Sequence, residues 1–489
     1  MITFLRRRLY FCVLMMLFIG FVSAQDISQP IPNPDQPDYV VPFSGQVATP
    51  RAIDAMPIPQ HPFMFTGEGS NIHNDGFMSD TYTVAGPTGN NLSVETVDLG
   101  GICATMTFDS QGRILTSCLT LSNATFYLLD GDTLGILDSI PLPYRRISLD
   151  DLQFPAGSYF YLDHSERAII PVVGNEIWQL VATDSDELLI EAVYDLSEIL
   201  PEDDEINSIL PDFDGLLWFT TLNGRVGTLV PDNDSTAIIT LENEKIANAF
   251  AVDETGGVFI VTDTALYRFD IGSDAQPEIT WREVYERGSQ QKPGQVSQGS
   301  GTTPTVMGND YVVITDNAEP RMNVLVYRRG VDVSGDRLVC SVPVFNDGLS
   351  ATENSVIATD RSIIVENNYG SGLSQLLGGL SQTGLSRIDI LDDESCEPVW
   401  TSDVRIPSAV TKLSLATGLI YTYTRDDAGF ATGSWYLTAI DYETGEVIWT
   451  QYAGTGTNFN NNYAAVYLAN NGVAYIGVTG GIVSIRDNP

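Results

Sequence analysis

The sequence predicts an all-β fold: an eight-bladed β-propeller of four-stranded antiparallel blades, with seven blades as the alternative count. Three observations carry this reading. First, the stretch Asn248 to Asp270 contains three short β-rich runs, Phe250–Asp253, Val258–Thr262 and Ala265–Phe269, the first two flanking the turn Glu254–Gly257. Second, the same unit recurs. Turns of one kind stand at Asp109–Gly112, Asp163–Glu166, Asp212–Gly215, Asp253–Gly256, Gly308–Asp310, Thr359–Arg361, Ala416–Gly418 and Ala469–Gly472, starting about 40 to 57 residues apart. Third, each turn separates apolar, β-branched runs such as Leu216–Thr220, Tyr311–Ile314 and Leu419–Tyr423. Glycine and aspartate suit tight turns, and β-branched residues suit a pleated, buried surface. Four short strands in roughly 50 residues is the pattern of a propeller blade, whose two faces are buried only by stacking around a ring.

In chain order, Arg6-Arg7-Arg8 precede the apolar run Leu9–Val22, and Val22-Ser23-Ala24 precede Gln25. This is a secretory signal, assigned to residues 1–24, and it implies a secreted or periplasmic protein. The run of 14 residues is shorter than the ~20 that span a bilayer. Cys12 lies inside that run, so no lipid anchor is expected. Residues 25–90 form a proline-rich extended segment and strap. Within it, His61–Gly89 is polar, aromatic and aperiodic, and reads either as a loop packed on the propeller or as a ligand-contacting lid. Residues 91–489 are the propeller. Ser93–Leu99 has no hairpin of its own, while the eighth unit, Tyr463–Ile485, ends after three strands. The early strand is therefore expected to join the last blade and remove an exposed edge.

The chain carries 63 acidic and 24 basic residues, a formal charge of −39, and signal cleavage removes three arginines to give −42. A dispersed field of this sign argues against nucleic acid and anionic lipid as partners. It suits solubility or attraction of cations. The mature chain is expected to be a monomer with no membrane partner. Four cysteines remain after cleavage, an even count that suggests two bridges. Pairing Phe108 with Arg113 across the first turn puts Cys103 opposite Cys118. Cys340 and Cys396 then pair by default, joining consecutive repeats.

The link Ala439-Ile-Asp441-Tyr-Glu-Thr444-Gly445-Glu-Val-Ile-Trp449 resembles the tryptophan-docking repeat of the quinoprotein (PQQ-dependent) alcohol dehydrogenase-like propellers. Weaker copies stand at Asp130–Gly135, Asp270–Trp281 and Asp389–Trp400. The stretches from Cys103 to Ile114, 246 to 270, 314 to 322 and 362 to 370 also resemble uncharacterised secreted bacterial propeller proteins of that type. The resemblance implies the fold and an extracytoplasmic location. Enzymes of the superfamily stack the quinone on a disulfide between adjacent cysteines; this sequence has no Cys-Cys pair and no Cys-x-x-Cys-His, which argues against PQQ and electron transfer.

In a propeller, the loops entering each inner strand and those between strands two and three share one face. Asn207, Asn248, Thr303, Asn354 and Thr411 fall at the starts of inner strands, where asparagine is otherwise disfavoured. They suggest a polar ring at the channel mouth. Asp316, Asn317, Glu319 and Arg321, then Glu366, Asn367, Asn368 and Tyr369, then Arg425, Asp426 and Asp427, lie on neighbouring loops of that face. Glu353 and the long loop Arg287–Gly301 join them. Oxygen donors from Asp316, Glu353, Asn354 and Glu366 suit Ca²⁺, and the whole face suits a small molecule, a glycan or a protein. Glu353, Glu366 and Asp316 are also candidates for acid–base catalysis, alone or beside a metal. A looser group, His61, His73, Asp75 and Asp80, offers transition-metal ligands. No Walker loop, HExxH, EF-hand loop or GxSxG elbow occurs. The expected function is thus a secreted binding module with a polar, Ca-compatible face. The alternatives are a metal-assisted hydrolase or lyase at the channel mouth and, more remotely, a quinoprotein-type oxidoreductase.

Overall fold

The computed structural model describes residues 28–34, 36–120, 122–144, 159–372, 380–426, 428 and 432–488. The segment 1–24 that reads as a signal, Cys12 within it, and Asp427 lie outside these residues. Eight antiparallel sheets succeed one another along the chain, and blades one to seven occupy 102–142, 161–195, 206–240, 251–284, 305–343, 357–402 and 412–455. Blade eight takes three strands from 466–487 and its outer strand, Leu92–Asp98, from the other end of the ring. Leu92 opposes Asp487 and Asp98 opposes Gly481. All eight anticipated turns fall between first and second strands. Blades one to four build that turn alike: Asp109, Asp163, Asp212 and Asp253 each accept, through Oδ1, the N–H groups two and four residues on. The carboxylate satisfies donors that a tight turn leaves without ladder partners.

Both cysteine pairs form, but the first through a different register. Phe108 pairs with Ile114, not Arg113. A bulge between Cys103 and Met106 restores the offset, so Cys103 still meets Cys118 with Cα atoms 4.2 Å apart. Cys340–Cys396 joins the outer strands of blades five and six.

Blade boundaries use two devices. The outer-strand tryptophan of one blade docks on the turn of the next: Trp400 Nε1 donates to Tyr442 O at 3.0 Å, and a side chain at Gly445 would strike the Trp400 ring. Trp281 reaches Arg329 O likewise. Trp449 is fully buried, but its counterpart is Gly89 in the segment leading to the closing strand. The second device is arginine. Arg113 binds Thr183 O and Asp186, Arg329 binds Asp253 and Glu254, and Arg387 binds Glu443 while lying 4.0 Å from the Tyr442 ring. Arg113, Arg329 and Arg387 thus each tie two adjacent blades together.

The aperiodic segment fills the axis. Strand-like residues Thr81–Tyr82 pair in parallel with blade seven's inner strand, and Phe43–Gly45 adds to that blade's outer edge. Between them the chain circles the channel. The carbonyls of Gly76, Phe77, Ser79 and Asp80 accept the N–H groups of Val252, Val306, Ala358 and Leu413, which belong to blades four, five, six and seven in turn. The plug has no sequence period because its partners are the ends of separate strands in blades two, four, five, six and seven instead of one sheet. At its centre the Lys412 ammonium contacts Asp80 Oδ1 and Ile72 O, and both charged side chains are 0% exposed. His73 Nδ1 lies 3.1 Å from the same carboxylate, and Ser355 Oγ also binds it.

Removing one partner of a buried ion pair leaves an uncompensated charge. Asp80 adopts φ +56°, which asparagine tolerates, so Asp80→Asn isolates the charge. This variant is expected to lose about 3–5 kcal/mol of unfolding free energy, and the added change Lys412→Met should recover much of it. Denaturant titration measures both; an unshifted midpoint for the single variant would rule the pair out as a stabilising contact.

Candidate functional site

The ring presents two faces. The first-hairpin turns and the plug occupy one, here the turn face. The entries to the inner strands form the other, the loop face, where the sequence placed its candidates.

The amides at the inner-strand entries are tied from blade to blade. Asn207 Nδ2 donates to Asn248 O at 3.1 Å, Asn248 Nδ2 to Ser300 O at 3.3 Å, and Asn354 Nδ2 to Ala409 O at 3.1 Å. Val466 N–H continues the chain to Val410 O, and the Tyr467 hydroxyl closes it onto Ala104 O. Asparagine recurs here because a short side chain with two donors reaches the neighbouring strand's carbonyl, and a buried amide must be satisfied. Thr303 is buried at the entry to blade five.

The loop residues are similarly employed. Asn367 Nδ2 holds Leu349 O and Thr383 O, and its Oδ1 accepts Tyr369 N–H. Asn368 Oδ1 accepts both Thr352 Oγ1–H and Glu353 N–H at 2.9 Å. Asn317 Nδ2 donates to Arg287 O and Gln290 O, anchoring the stem of the loop 287–301. Asp316 accepts Asn323 N–H and Nδ2–H and Ala318 N–H, so it caps its own hairpin; burial raises its pKa. Arg321 pairs with Asp347 at 2.9 Å, and Asp426 Oδ1 accepts the N–H groups of Ala428 and Ser434. Asp316 is therefore bound into its own hairpin, apart from the two glutamates.

Glu366 and Glu353 stand nearer the axis. Glu366 is 3% exposed, receives Asn354 Nδ2 on one oxygen and Thr411 Oγ1 at 2.9 Å on the other, and is pushed up to about 8 by burial. Glu353 differs. Its Oε1 is buried without a hydrogen-bond partner. Burial pushes it up to about 8 as well, against the pull of the Val296 N–H. Loop 287–301 covers it closely: a Cβ at Gly301 would stand 2.7 Å from Glu353 Oε1, and one at Gly294 would stand 2.5 Å from Asn368 O. Tyr463, at the entry to blade eight, donates its hydroxyl to Gly294 O at 2.6 Å. Burial raises the pKa of Tyr463 and of Tyr159, at the entry to blade two, and Glu353 adds to both.

On the opposite side, Ser355, His73 and Asp80 are adjacent but do not form a nucleophile relay. Ser355 Oγ at 2.9 Å and Asp80 at 3.1 Å address the same ring nitrogen, Nδ1. A relay needs the two ring nitrogens to face different partners. Burial opposes the charge of Asp80, yet Lys412 and His73 hold its pKa below the usual value. Asp75 binds Ser79, and His61 packs on Phe213 at 4.2 Å between ring centroids. Among the described residues no group of three or more His, Cys, Asp or Glu is arranged to hold a metal ion.

The sequence reading missed Lys412, Ser355, Tyr159 and Tyr463. Lys412 had a visible signal, a lysine inside the buried strand Thr411–Ser414. Its partner is 332 residues away and could not be read.

No family model matches the chain. It is 30% identical over 330 residues to an uncharacterized protein of Archaeoglobus fulgidus, and the match covers 60% of this chain. The chain spans 63% of the length of that curated relative. Among solved structures, the Dos1 propeller superposes with a TM-score of 0.50 at 10% identity, covering 83% of this chain and 96% of that one. A streptogramin B lyase gives 0.41 at 10% identity, covering 81% and 98%. At these identities the Dos1 likeness is one of fold.

Both raised glutamates predict a pH dependence. An acid whose folded pKa is raised stabilises the fold fully below its unfolded value, and the contribution is lost as pH rises through the folded value. For Glu366 that window runs from 4.5 to about 8. Unfolding free energy should fall across it, on the order of 1 kcal/mol per pH unit for each such group. Glu366→Gln should flatten the slope, as measured by denaturation at half-unit pH steps; an unchanged slope would mean that Glu366 is ionised at neutral pH.

Proposed function

We propose that the mature chain is a secreted binding module whose loop face receives a neutral polar ligand, a glycan or a small hydroxylated molecule, at Glu353 beneath loop 287–301. One observation carries this: Glu353 Oε1 is buried without a partner beneath that loop, beside Asn367 and Asn368, whose amides are already spent, while the other unpartnered acid oxygen of the face, Asp426 Oδ2, belongs to a hairpin cap. A carboxyl pushed up to about 8 is neutral at pH 7, and it offers one donor and one acceptor side by side. That suits hydroxyl groups better than a bare cation. Calcium at Glu353 and Glu366 would have to displace a proton and the Asn354 bond. The signal-like segment 1–24 and the two disulfides support export. The tryptophan docking at Trp281 and Trp400 supports kinship with the quinoprotein-like propellers, without PQQ.

A second reading draws on the same carboxyls. Two glutamates near one axis, both raised to about 8, suit general acid catalysis by a hydrolase or lyase. The two readings separate at one residue. Glutamine resembles a protonated glutamate, so Glu353→Gln should keep ligand affinity within about threefold while Glu353→Ala loses about tenfold or more. A panel of neutral oligosaccharides, followed by calorimetry on any hit, measures this. Loss of turnover in Glu353→Gln with binding retained would favour catalysis. Equal loss in both variants, with affinity sensitive to EDTA, would favour a bound cation. Unaltered affinity in both would move the site elsewhere.

A further inference from the structure

The turn face carries a cavity that the loop-face reading does not use. It has a volume of about 480 Å³ and lies between the proline-rich strap at 55–60 and the plug at 64–77, with the turns of blades five and six as its far wall. That volume falls in the range of small-molecule sites. Its walls are of two kinds. Met56, Ile58, Met64, Phe65 and Phe77 supply apolar surface. Glu68 and Asp360 supply carboxylates, Asp75 a third acid that burial pushes up to about 7, and no lysine or arginine lines the cavity. The lining imidazole, His61, is pushed down to about 4 by burial and is neutral at pH 7.

The acids are fixed in place. Asp75 is held by the N–H and hydroxyl of Ser79. Glu68 accepts Asn74 Nδ2 at 2.6 Å and Thr83 N–H at 2.8 Å. Asp360 accepts Met56 N–H, which ties the strap to blade six at the rim. The buried cation behind them, Lys412, is committed to Asp80. Asp75 therefore stands in a cavity wall near Glu68 and Asp80, with its own oxygens on Ser79 and no ion pair of its own, and burial pushes it up to about 7, a state that a bound cation would relieve. Acids on open surface would be solvated and inert as a signal. Set in the wall of a cavity that also offers apolar surface, they select a guest with a positive head and a hydrocarbon body.

We infer that this cavity binds a small organic ammonium ion, its amine against Asp75 and Glu68 and its carbon body against Met64, Phe65 and Phe77. A metal ion fits less well, because no group of three ligating side chains is arranged for one among the described residues.

Calorimetry with benzylamine, benzyl alcohol and benzoate on the mature chain tests the inference. Benzylamine is expected to bind at least about tenfold more tightly than benzyl alcohol, and benzoate least of all. Asp75→Asn should weaken benzylamine about tenfold and leave benzyl alcohol unchanged. Asp360→Lys, at the rim and outside the plug, should also weaken benzylamine alone, and it decides the matter if Asp75→Asn does not fold. Equal affinity for amine and alcohol would overturn the assignment. So would a benzylamine affinity unmoved by Asp360→Lys, or no heat at about 10 mM amine.

Discussion

A lysine ammonium without solvent contact stands at the axis of this ring, and the carboxylate that makes it tolerable comes from outside the ring. The Coulomb term between two such groups is large, but so is the cost of removing them from water. The pair is therefore less a source of net stability than a lock. It fixes the plug to blade seven at one rotation and one depth. Once Asp80 is placed, the plug carbonyls at Gly76, Phe77 and Ser79 meet the inner strands of blades four, five and six in sequence. Each buried N–H left unmet would cost about 1–3 kcal/mol, so register at the centre propagates around the ring.

The same accounting explains the contrast between the two faces. On the loop face, a ring of amides satisfies the ends of adjacent inner strands, and the polar composition there is largely the composition of a closure. Glu353 Oε1 does not take part in it, and neither does Asp426 Oδ2. On the turn face, the plug covers the axis and leaves space only where the strap lifts away from it. Binding sites on propellers arise where closure and packing leave a polar group or a volume unused, and Glu353 Oε1 and the cavity under the strap are such places, on opposite sides.

Much of the fold was legible because each blade repeats the same local problem. The aspartate that starts a turn bonds its own backbone, so Asp109, Asp163, Asp212 and Asp253 announce themselves within five residues. Cys103 and Cys118 were legible as partners although the register between them was not, since a bulge is invisible to simple counting. The amides Asn207, Asn248 and Asn354 were legible as a ring; that their donors are spent on the next blade was not, because the acceptors lie 41 to 55 residues further along. The plug was the least legible element. Its residues answer to strands scattered over the whole chain, and no local pattern records that.

The strand Leu92–Asp98 closes the ring by pairing with residues near 481–487, about 395 positions distant. The plug immediately precedes it. A growing polypeptide thus holds its central peg from the start but has no complete socket until nearly every blade has emerged. Seven sheets can form one by one from local hairpins, which are fast, whereas the seam waits on the longest loop in the molecule. Until then the inner strands of the nascent arc face an open side. A net charge of −39 sets such arcs against one another by mutual repulsion while that side is open.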